Sequence, residues 1–409
     1  MEAIQDNQGA RNTYDQLYQS LLQEYDSDFE VKFFAYDWRL DGTDIAWQLD
    51  EYAKSYKHIH LVAHGLGGLI STKYMSLSEA NLNKVLSLTA IGTPFTGTVD
   101  APFVLQTGNM MDNIIENLFM SKHVRDLAAN YPSAYQFLPT RRYGEEYLYV
   151  LNDDTNELTS GLTFNEKMEQ FESLPWGEGK RSLMKGNSTF HDSLMENGEH
   201  LANKYKDKVY YIAGYGSNTI NGYTIQADKD SQGVYNGAMI NYTKEGDGVV
   251  PLHSATNNDG TNKTLLVNAN HTELLSSSST ISYVKNIIRN SMNSTTRSNV
   301  PAIQGKAAVD KRKLSVLVMS SDKLEICDMA GNQVSVDKGT LYIEQNGVKK
   351  ETGTTWTFDD KRTQYALNPD TTYQFKFSSN DGILKSTLTV LDLESLEILG
   401  MRVHNLTGK

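Results

Sequence analysis

The stretch Leu61-Val62-Ala63-His64-Gly65-Leu66-Gly67-Gly68-Leu69-Ile70 constrains this chain more than any other. An apolar strand, Ile59 to Ala63, ends in His-x-x-Gly-Gly and runs straight into a helix predicted over Leu69 to Met75. So sharp a strand-to-helix turn puts its central residue, Gly65, at strained backbone angles and points that position out of the top of a sheet. Glycine adopts such angles without steric cost. Ala63 and Gly67, two residues before and after, are small and let strand and helix pack closely. The amide of Leu66 would open the helix, where N–H groups lack intrahelical acceptors and can serve an oxyanion. The turn is no phosphate cradle: Gly-x-Gly-Gly lacks the Lys-Ser/Thr of a P-loop and the full dinucleotide spacing. Taken alone, it is also compatible with a glycine-rich turn that never carried catalysis.

Around the turn, helical and strand patterns alternate. Tyr14 to Tyr25 reads as a helix with Leu17, Leu21 and Leu22 on one face, and Asp44 to Tyr56 as another with Ile45, Leu49, Tyr52 and Ala53. Strands are predicted at Val31–Tyr36, Ile59–Ala63, Val85–Ile91, Val209–Ala213 and Thr264–Val267, and a closing helix at Ile281–Met292. Such alternation indicates a parallel sheet with helices on both faces. Residues 100–205 break the rhythm; their pattern is mostly helical, as in an inserted cap, and Met110, Met111, Ile114, Ile115, Leu118 and Phe119 form an apolar face there. That face suits core packing or a lid that meets lipid. Residues 293–311 are polar and read as a linker. Beyond them the period becomes two, with clean alternation at Tyr373–Phe377 and an Asn346-Gly347 hairpin turn. The tail, 312–409, is expected to be a small β-sandwich; the body is expected over 1–292.

Composition narrows the partners. The 409 residues suffice for about two domains. The net charge of −12 favours neither nucleic acid nor an anionic membrane surface. Cys327 is alone, so neither an internal disulfide nor a thiolate zinc cluster is expected, and no cofactor or metal is implied. No apolar run approaches the ~20 residues of a bilayer span. Met1 to Asp6 lacks a basic start and an apolar stretch, so no signal peptide is expected; as it stands the chain reads as cytoplasmic, or as secreted if an amino-terminal segment precedes it. Nothing in the sequence fixes the oligomeric state.

Four further segments bring a resemblance into view: Phe34-Ala35-Tyr36-Asp37-Trp38-Arg39, Gly92-Thr93-Pro94-Phe95-Thr96-Gly97, Gly246-Asp247-Gly248-Val249-Val250-Pro251, and the cap stretch Arg125 to Pro139. In order and spacing they resemble the lecithin:cholesterol acyltransferase group of lipases and acyltransferases over residues 12–290. The resemblance implies an α/β-hydrolase fold whose nucleophile elbow is the turn at Gly65. It implies that Asp247 is the acid and His271, after a short strand, the base, in the order nucleophile, acid, base. It assigns the oxyanion amide to Leu66 and leaves Trp38 and Arg39 either structural or lining an acyl site. His64 is expected to pack, and His253 is not expected to be a second base.

Two departures stand out. Gly65 occupies the place of the nucleophilic serine and has no Oγ, so it cannot form an acyl-enzyme. A strand that the family places ahead of the Tyr14 helix is not evident, which would leave a gap between the strands at 31–36 and 59–63. The resemblance therefore implies a lipid-like acyl-ester substrate and family chemistry of hydrolysis or acyl transfer, with activity reduced to near background. The rival readings are a noncatalytic binder of lipid or of a partner, derived from the same fold, and a nonfunctional remnant.

Overall fold

A computed structural model describes residues 10–25, 27, 29–107, 127–144, 147–151, 158–159, 166–167, 183, 189–226, 238–258 and 263–292, and, between 314 and 407, the strands and parts of their turns. The expected apolar face at 110–119 and the linker at 293–311 lie outside these residues.

Four parallel strands form the central sheet: β1 (Ile59–His64), β2 (Val85–Ile91), β3 (Val209–Tyr215) and β4 (Thr264–Asn268), in that spatial order. Helices cover both faces. α2 (Gly42–Tyr52) and α3 (Leu66–Leu77) share one core with Leu88, Ala90 and Tyr211. α1 (Ala10–Tyr25) and α4 (Ser278–Met292) share the opposite core with Ile91, Ile212 and Leu265. Neighbouring strand residues thus go to opposite cores, as the two-residue period of a strand demands. Of the face of α1 read from the sequence, Leu17 and Leu21 are buried, each below one-tenth exposed, while Leu22 is only half-buried and Tyr25 completes the buried face in its place. Tyr25 adds a hydrogen bond from its hydroxyl to the Lys285 carbonyl of α4, 2.7 Å.

α2 starts where Asp41 caps it, its carboxylate accepting from Thr43 N at 2.7 Å. Gln136, fully buried, then ties the cap to this helix end: its Oε1 accepts from Gly42 N and its Nε2 donates to Asp41 Oδ2, both at 2.9 Å. The helix ends at Tyr52, four residues earlier than expected.

One expectation needs correction. Residues Val31–Tyr36 are not a strand: the backbone from 30 to 37 joins no ladder. A β-type sequence becomes a strand only when a neighbour supplies hydrogen bonds, and none stands beside it. The described part of residues 100–205 carries little strand, Leu148–Leu151 and three two-residue strands. Leu148–Leu151 lies parallel to Thr219–Gln226, which pairs antiparallel with Ala238–Thr243. The short Leu148–Leu151 strand pairs locally with Leu158–Thr159 on one side, and on the other with a partner some seventy-five residues onward, beyond the reach of local pattern.

The tail is antiparallel β-structure. A seven-stranded sheet has Leu314–Ser320 between Arg362–Leu367 and Ile383–Asp392, and a separate pair joins Lys323–Asp328 to Tyr373–Ser378. Leu341 and Leu367 pack with Leu324, Tyr373 and Phe375, so one small core draws on both sheets. Gln345 pairs with Val348 across the expected hairpin turn, where Gly347 has φ 78°. Lys244 reaches Glu351 of this sheet at 3.2 Å.

The close approach of α3 to its surroundings separates two glycines. A Cβ on Gly67 would meet Ala63 Cβ at 3.5 Å, an ordinary contact, whereas one on Gly68 would overlap the Thr93 side chain. Gly67→Ala should therefore leave stability within about 0.5 kcal/mol, while Gly68→Ala should cost about 1–3 kcal/mol. Urea unfolding of the two variants checks the contrast.

Candidate functional site

The site lies at the carboxyl end of the parallel strands, where β1 turns into α3. Gly65 stands at the turn with φ 53° and ψ −124°, a region closed to most L-residues. Its amide donates to the Ile91 carbonyl at 3.0 Å, tying the turn to β2. Leu66 follows as the buried first residue of α3, so its amide lies among those with no intrahelical acceptor.

The structure brings Asp247 and His271 together. Asp247 is 1% exposed, on the loop between Thr243 and Leu252. Its Oδ1 accepts the amides of Val249 at 3.0 Å and Val250 at 2.7 Å. Its Oδ2 accepts from His271 Nδ1 at 2.7 Å. The His271 amide also donates to the Asp247 carbonyl at 2.8 Å, so main chain and side chain both hold the pair. With Nδ1 carrying its proton towards the carboxylate, neutral His271 keeps Nε2 free as an acceptor. That nitrogen faces the turn: a Cβ built on Gly65 would lie 3.5 Å from it.

Glycines make this approach possible. At Gly92, φ 53°, a Cβ would lie 3.0 Å from Asp247 Oδ2 and from His271 Nδ1 and Cε1. At Gly214 it would lie 2.6 Å from Asp247 Cβ. The Gly-Thr-Pro turn was read from the sequence as a family feature; the reason its glycine must be bare appears only in three dimensions.

His64 does more than pack. Its Nε2 contacts the His271 carbonyl oxygen at 3.0 Å, and its Nδ1 contacts the Tyr14 hydroxyl at 3.0 Å. A carbonyl only accepts, so Nε2 carries the proton and Tyr14 donates to Nδ1. The two imidazoles lie 4.2 Å apart, centre to centre. Burial first, and the nearby His271 second, push the His64 pKa down to about 3. Tyr14 is the residue that sequence reasoning missed; a tyrosine at the start of a helix carries no local signal for a contact fifty residues away.

Trp38 and Arg39 are exposed. Arg39 is spent on Asp37 through two hydrogen bonds, 2.8 and 2.6 Å, and lies 5.9 Å from the Tyr131 ring centre. That pairing lowers the Asp37 pKa to about 2. Trp38 is half exposed and meets the same Tyr131 edge-on. His253 packs against Tyr143 at 4.6 Å and belongs to a different neighbourhood.

A parallel sheet, a strand-turn-helix elbow and a His–Asp pair carried on later loops decide the architecture. The fold is that of an α/β-hydrolase. Residues 6–166 match the family model of lecithin:cholesterol acyltransferase, which supports lipase- or acyltransferase-type ancestry for this part of the α/β-hydrolase. No curated protein matches the chain. Among solved structures, the Tle4-Tli4 complex has 12% identity and a TM-score of 0.44, over 63% of this chain and 68% of that one. Bacillus licheniformis lipase BlEst2 in propeptide form has 11% identity and a TM-score of 0.36, over 91% and 69%. A bacterial membrane phospholipase A has 13% identity and a TM-score of 0.25, over 62% and 64%. At such scores the likeness carries nothing about substrate. Among the described residues no helix is long and apolar enough to cross a membrane.

The buried His64 yields a pH prediction. The unfolded chain takes up its proton near pH 6.5, the folded chain only near pH 3. The unfolded state therefore binds more protons in that window, and stability falls as pH drops through it. One such proton contributes about 1.4 kcal/mol per pH unit. His64→Gln should remove about that much of the slope between pH 4 and 6, measured by urea unfolding at stepped pH.

Proposed function

We propose that this α/β-hydrolase descends from an esterase of the lipase or acyltransferase type. In this reading Asp247 and His271 are its acid and base, Leu66 its oxyanion amide and Gly65 the place of its lost nucleophile. The observation that carries the proposal is the His271 imidazole, held by Asp247 at 2.7 Å and facing the Cβ position of Gly65 from 3.5 Å. A hydroxyl on that carbon would fall within reach of Nε2, the relation of nucleophile to general base.

The chemistry available to an ancestral serine is acyl transfer. His271 would take the hydroxyl proton as the oxygen attacks the ester carbonyl, and Asp247 would stabilise the imidazolium. The amide of Leu66 would meet the developing oxyanion, with the N-terminal end of α3 favouring negative charge. Collapse of the tetrahedral intermediate would break the ester C–O bond, the His271 imidazolium giving its proton to the departing alcohol, and the acyl-enzyme would then pass its acyl group to water or to a second alcohol. The substrate class in this proposal is an acyl ester of a lipid-like molecule, with Trp38 and Arg39 on the rim of its entry. As it stands the chain has the base and the acid without the nucleophile, so no acyl-enzyme forms. Binding and a full oxyanion hole can still give about 10³–10⁴-fold over water where a triad is incomplete; with Leu66 as the one oxyanion donor assigned here, activity falls towards background.

Hydrolysis of p-nitrophenyl butyrate should be near background for the chain itself. Gly65→Ser should raise kcat/KM by at least about 10-fold, and Gly65→Ser with His271→Ala should return it to background. Strong hydrolysis by the unmodified chain would refute the loss of activity. No gain in a folded Gly65→Ser variant would refute the assignment of the site.

A further inference from the structure

The helix α3 carries a second polar pair away from the elbow. Lys73 lies eight residues beyond Gly65, about 12 Å along the helix axis. Its Nζ donates to the Ser193 hydroxyl at 2.8 Å. That hydroxyl donates in turn to the Phe190 carbonyl at 2.6 Å. Both side chains are half-buried, so the pair is partly dry and still open to a reagent.

Ser193 is held from several sides. Its amide donates to the Thr189 carbonyl, and the Leu194 amide to the His191 carbonyl, each at 3.0 Å. His191 Nε2 contacts the Gln136 carbonyl oxygen at 2.8 Å. The Leu201 amide donates to the Leu194 carbonyl at 2.8 Å. The hydroxyl therefore meets Lys73 in a fixed geometry, with little ordering left to pay for at the moment of reaction.

Lys73 has the surroundings of a base. Among the described residues its Nζ makes this one hydrogen bond and no ion pair. Asp41 is near enough to favour the charged form, yet its carboxylate is taken up by Thr43 N and Gln136 Nε2. Burial outweighs it and pushes the Lys73 pKa down. A desolvated lysine loses its proton more readily, and a neutral amine accepts one. The 2.8 Å contact then reverses, with the hydroxyl donating to Nζ instead of to Phe190. A lysine that only tied Ser193 down would do so best as an ammonium, the form that burial disfavours.

The neighbouring charges select the partner. Asp192 and Glu196 are exposed on either side of Ser193 in the chain, and Glu196 is paired with Lys204. The carboxylate of Asp192 repels an anionic acyl donor, so an uncharged ester is favoured.

We propose that Ser193 and Lys73 form a serine–lysine dyad, separate from the elbow, that accepts an acyl group from an uncharged activated ester. Ser193 Oγ attacks the ester carbonyl carbon and gives its proton to Lys73 Nζ. The bond from that carbon to the leaving oxygen breaks, the departing oxygen takes the proton back from Nζ, and the acyl group stays on Oγ. Nothing is oxidised or reduced. The amides of Ser193 and Leu194 are both spent on carbonyls, so neither can serve an oxyanion. The dyad therefore takes one acyl group per chain and does not turn over, in keeping with hydrolysis near background.

The test is treatment of the unmodified chain with p-nitrophenyl butyrate, followed by peptide mapping with tandem mass spectrometry. Gly65 has no hydroxyl, so the elbow is silent in this assay. Ser193 should carry a butyryl group that neutral hydroxylamine releases, as it does an ester. It should form at least about 10-fold faster than any on the exposed Ser276 in the same sample. Lys73→Arg keeps a cation and a donor but cannot take the proton; in a variant that still unfolds cooperatively, it should slow acylation of Ser193 by at least about 10-fold. Lys73→Met should slow it as much. Butyryl groups only on other residues, Lys73 included, overturn the proposal, as do equal rates at Ser193 and Ser276. An undiminished rate in Lys73→Arg also overturns it, because Lys73 is then only a tie.

Discussion

The imidazole of His271 occupies the space where a side chain on Gly92 would have to go, and the upper end of the sheet is arranged around that approach. Asp247 can reach His271 only because β2 ends in a bare backbone, and it can approach β3 only because Gly214 is bare too. Three backbones therefore meet with almost no side chain between them: the turn at Gly65, the end of β2 and the end of β3. The buried Asp247 carboxylate is charged in a dry place, which is tolerable only because two amides and one imidazole satisfy it. Removing any one of these contacts exposes the cost of the others, so the site behaves as a unit.

His64 extends that unit downward. Its ring bridges the helix α1, through Tyr14, and the loop that carries His271, through a backbone carbonyl. A residue chosen by sequence position as part of the elbow thus also fixes the far loop. Because burial keeps His64 neutral, its tautomer is set by the two partners and the bridge has a single polarity. His271 in turn is braced from two sides, by a carboxylate on its ring and an imidazole on its backbone.

Much of this was legible in the sequence, for identifiable reasons. The elbow could be read because a strand, a glycine turn and a helix leave their marks within ten consecutive residues. Asp247 and His271 came from the resemblance of their segments to the lecithin:cholesterol acyltransferase family, and the structure places them in contact. The helices α1 and α4 followed from spacing alone. What escaped depended on partners distant in sequence. Val31–Tyr36 has the composition of a strand, yet strand formation needs a neighbour, and composition cannot supply one. One of the two partners of Leu148–Leu151 lies more than seventy positions away. The bridging role of His64 needed Tyr14, fifty residues earlier. The tail shows the same division: its two-residue period gave strands, while the order 334–337, 340–345, 348–357, 362–367, 314–320, 383–392, 398–407 within its larger sheet has no local signature.

The backbone at Gly65 separates what holds the site from what a nucleophile would add. At φ 53° and ψ −124° any residue with a Cβ is strained, by about 1–3 kcal/mol. Glycine removes that strain, yet the elbow keeps its shape. The conformation must therefore be imposed from outside the residue, by the bond from its amide to Ile91, by the start of α3 and by the packing of Gly68 on Thr93. A serine placed there would inherit an elbow already formed and would meet His271 across an open approach, paying only for its own Cβ. A turn maintained by its surroundings keeps its shape whichever residue stands at its centre. The geometry of this site consequently persists with glycine at its centre, and the strain of a serine would be the cost of activity and not the origin of the shape.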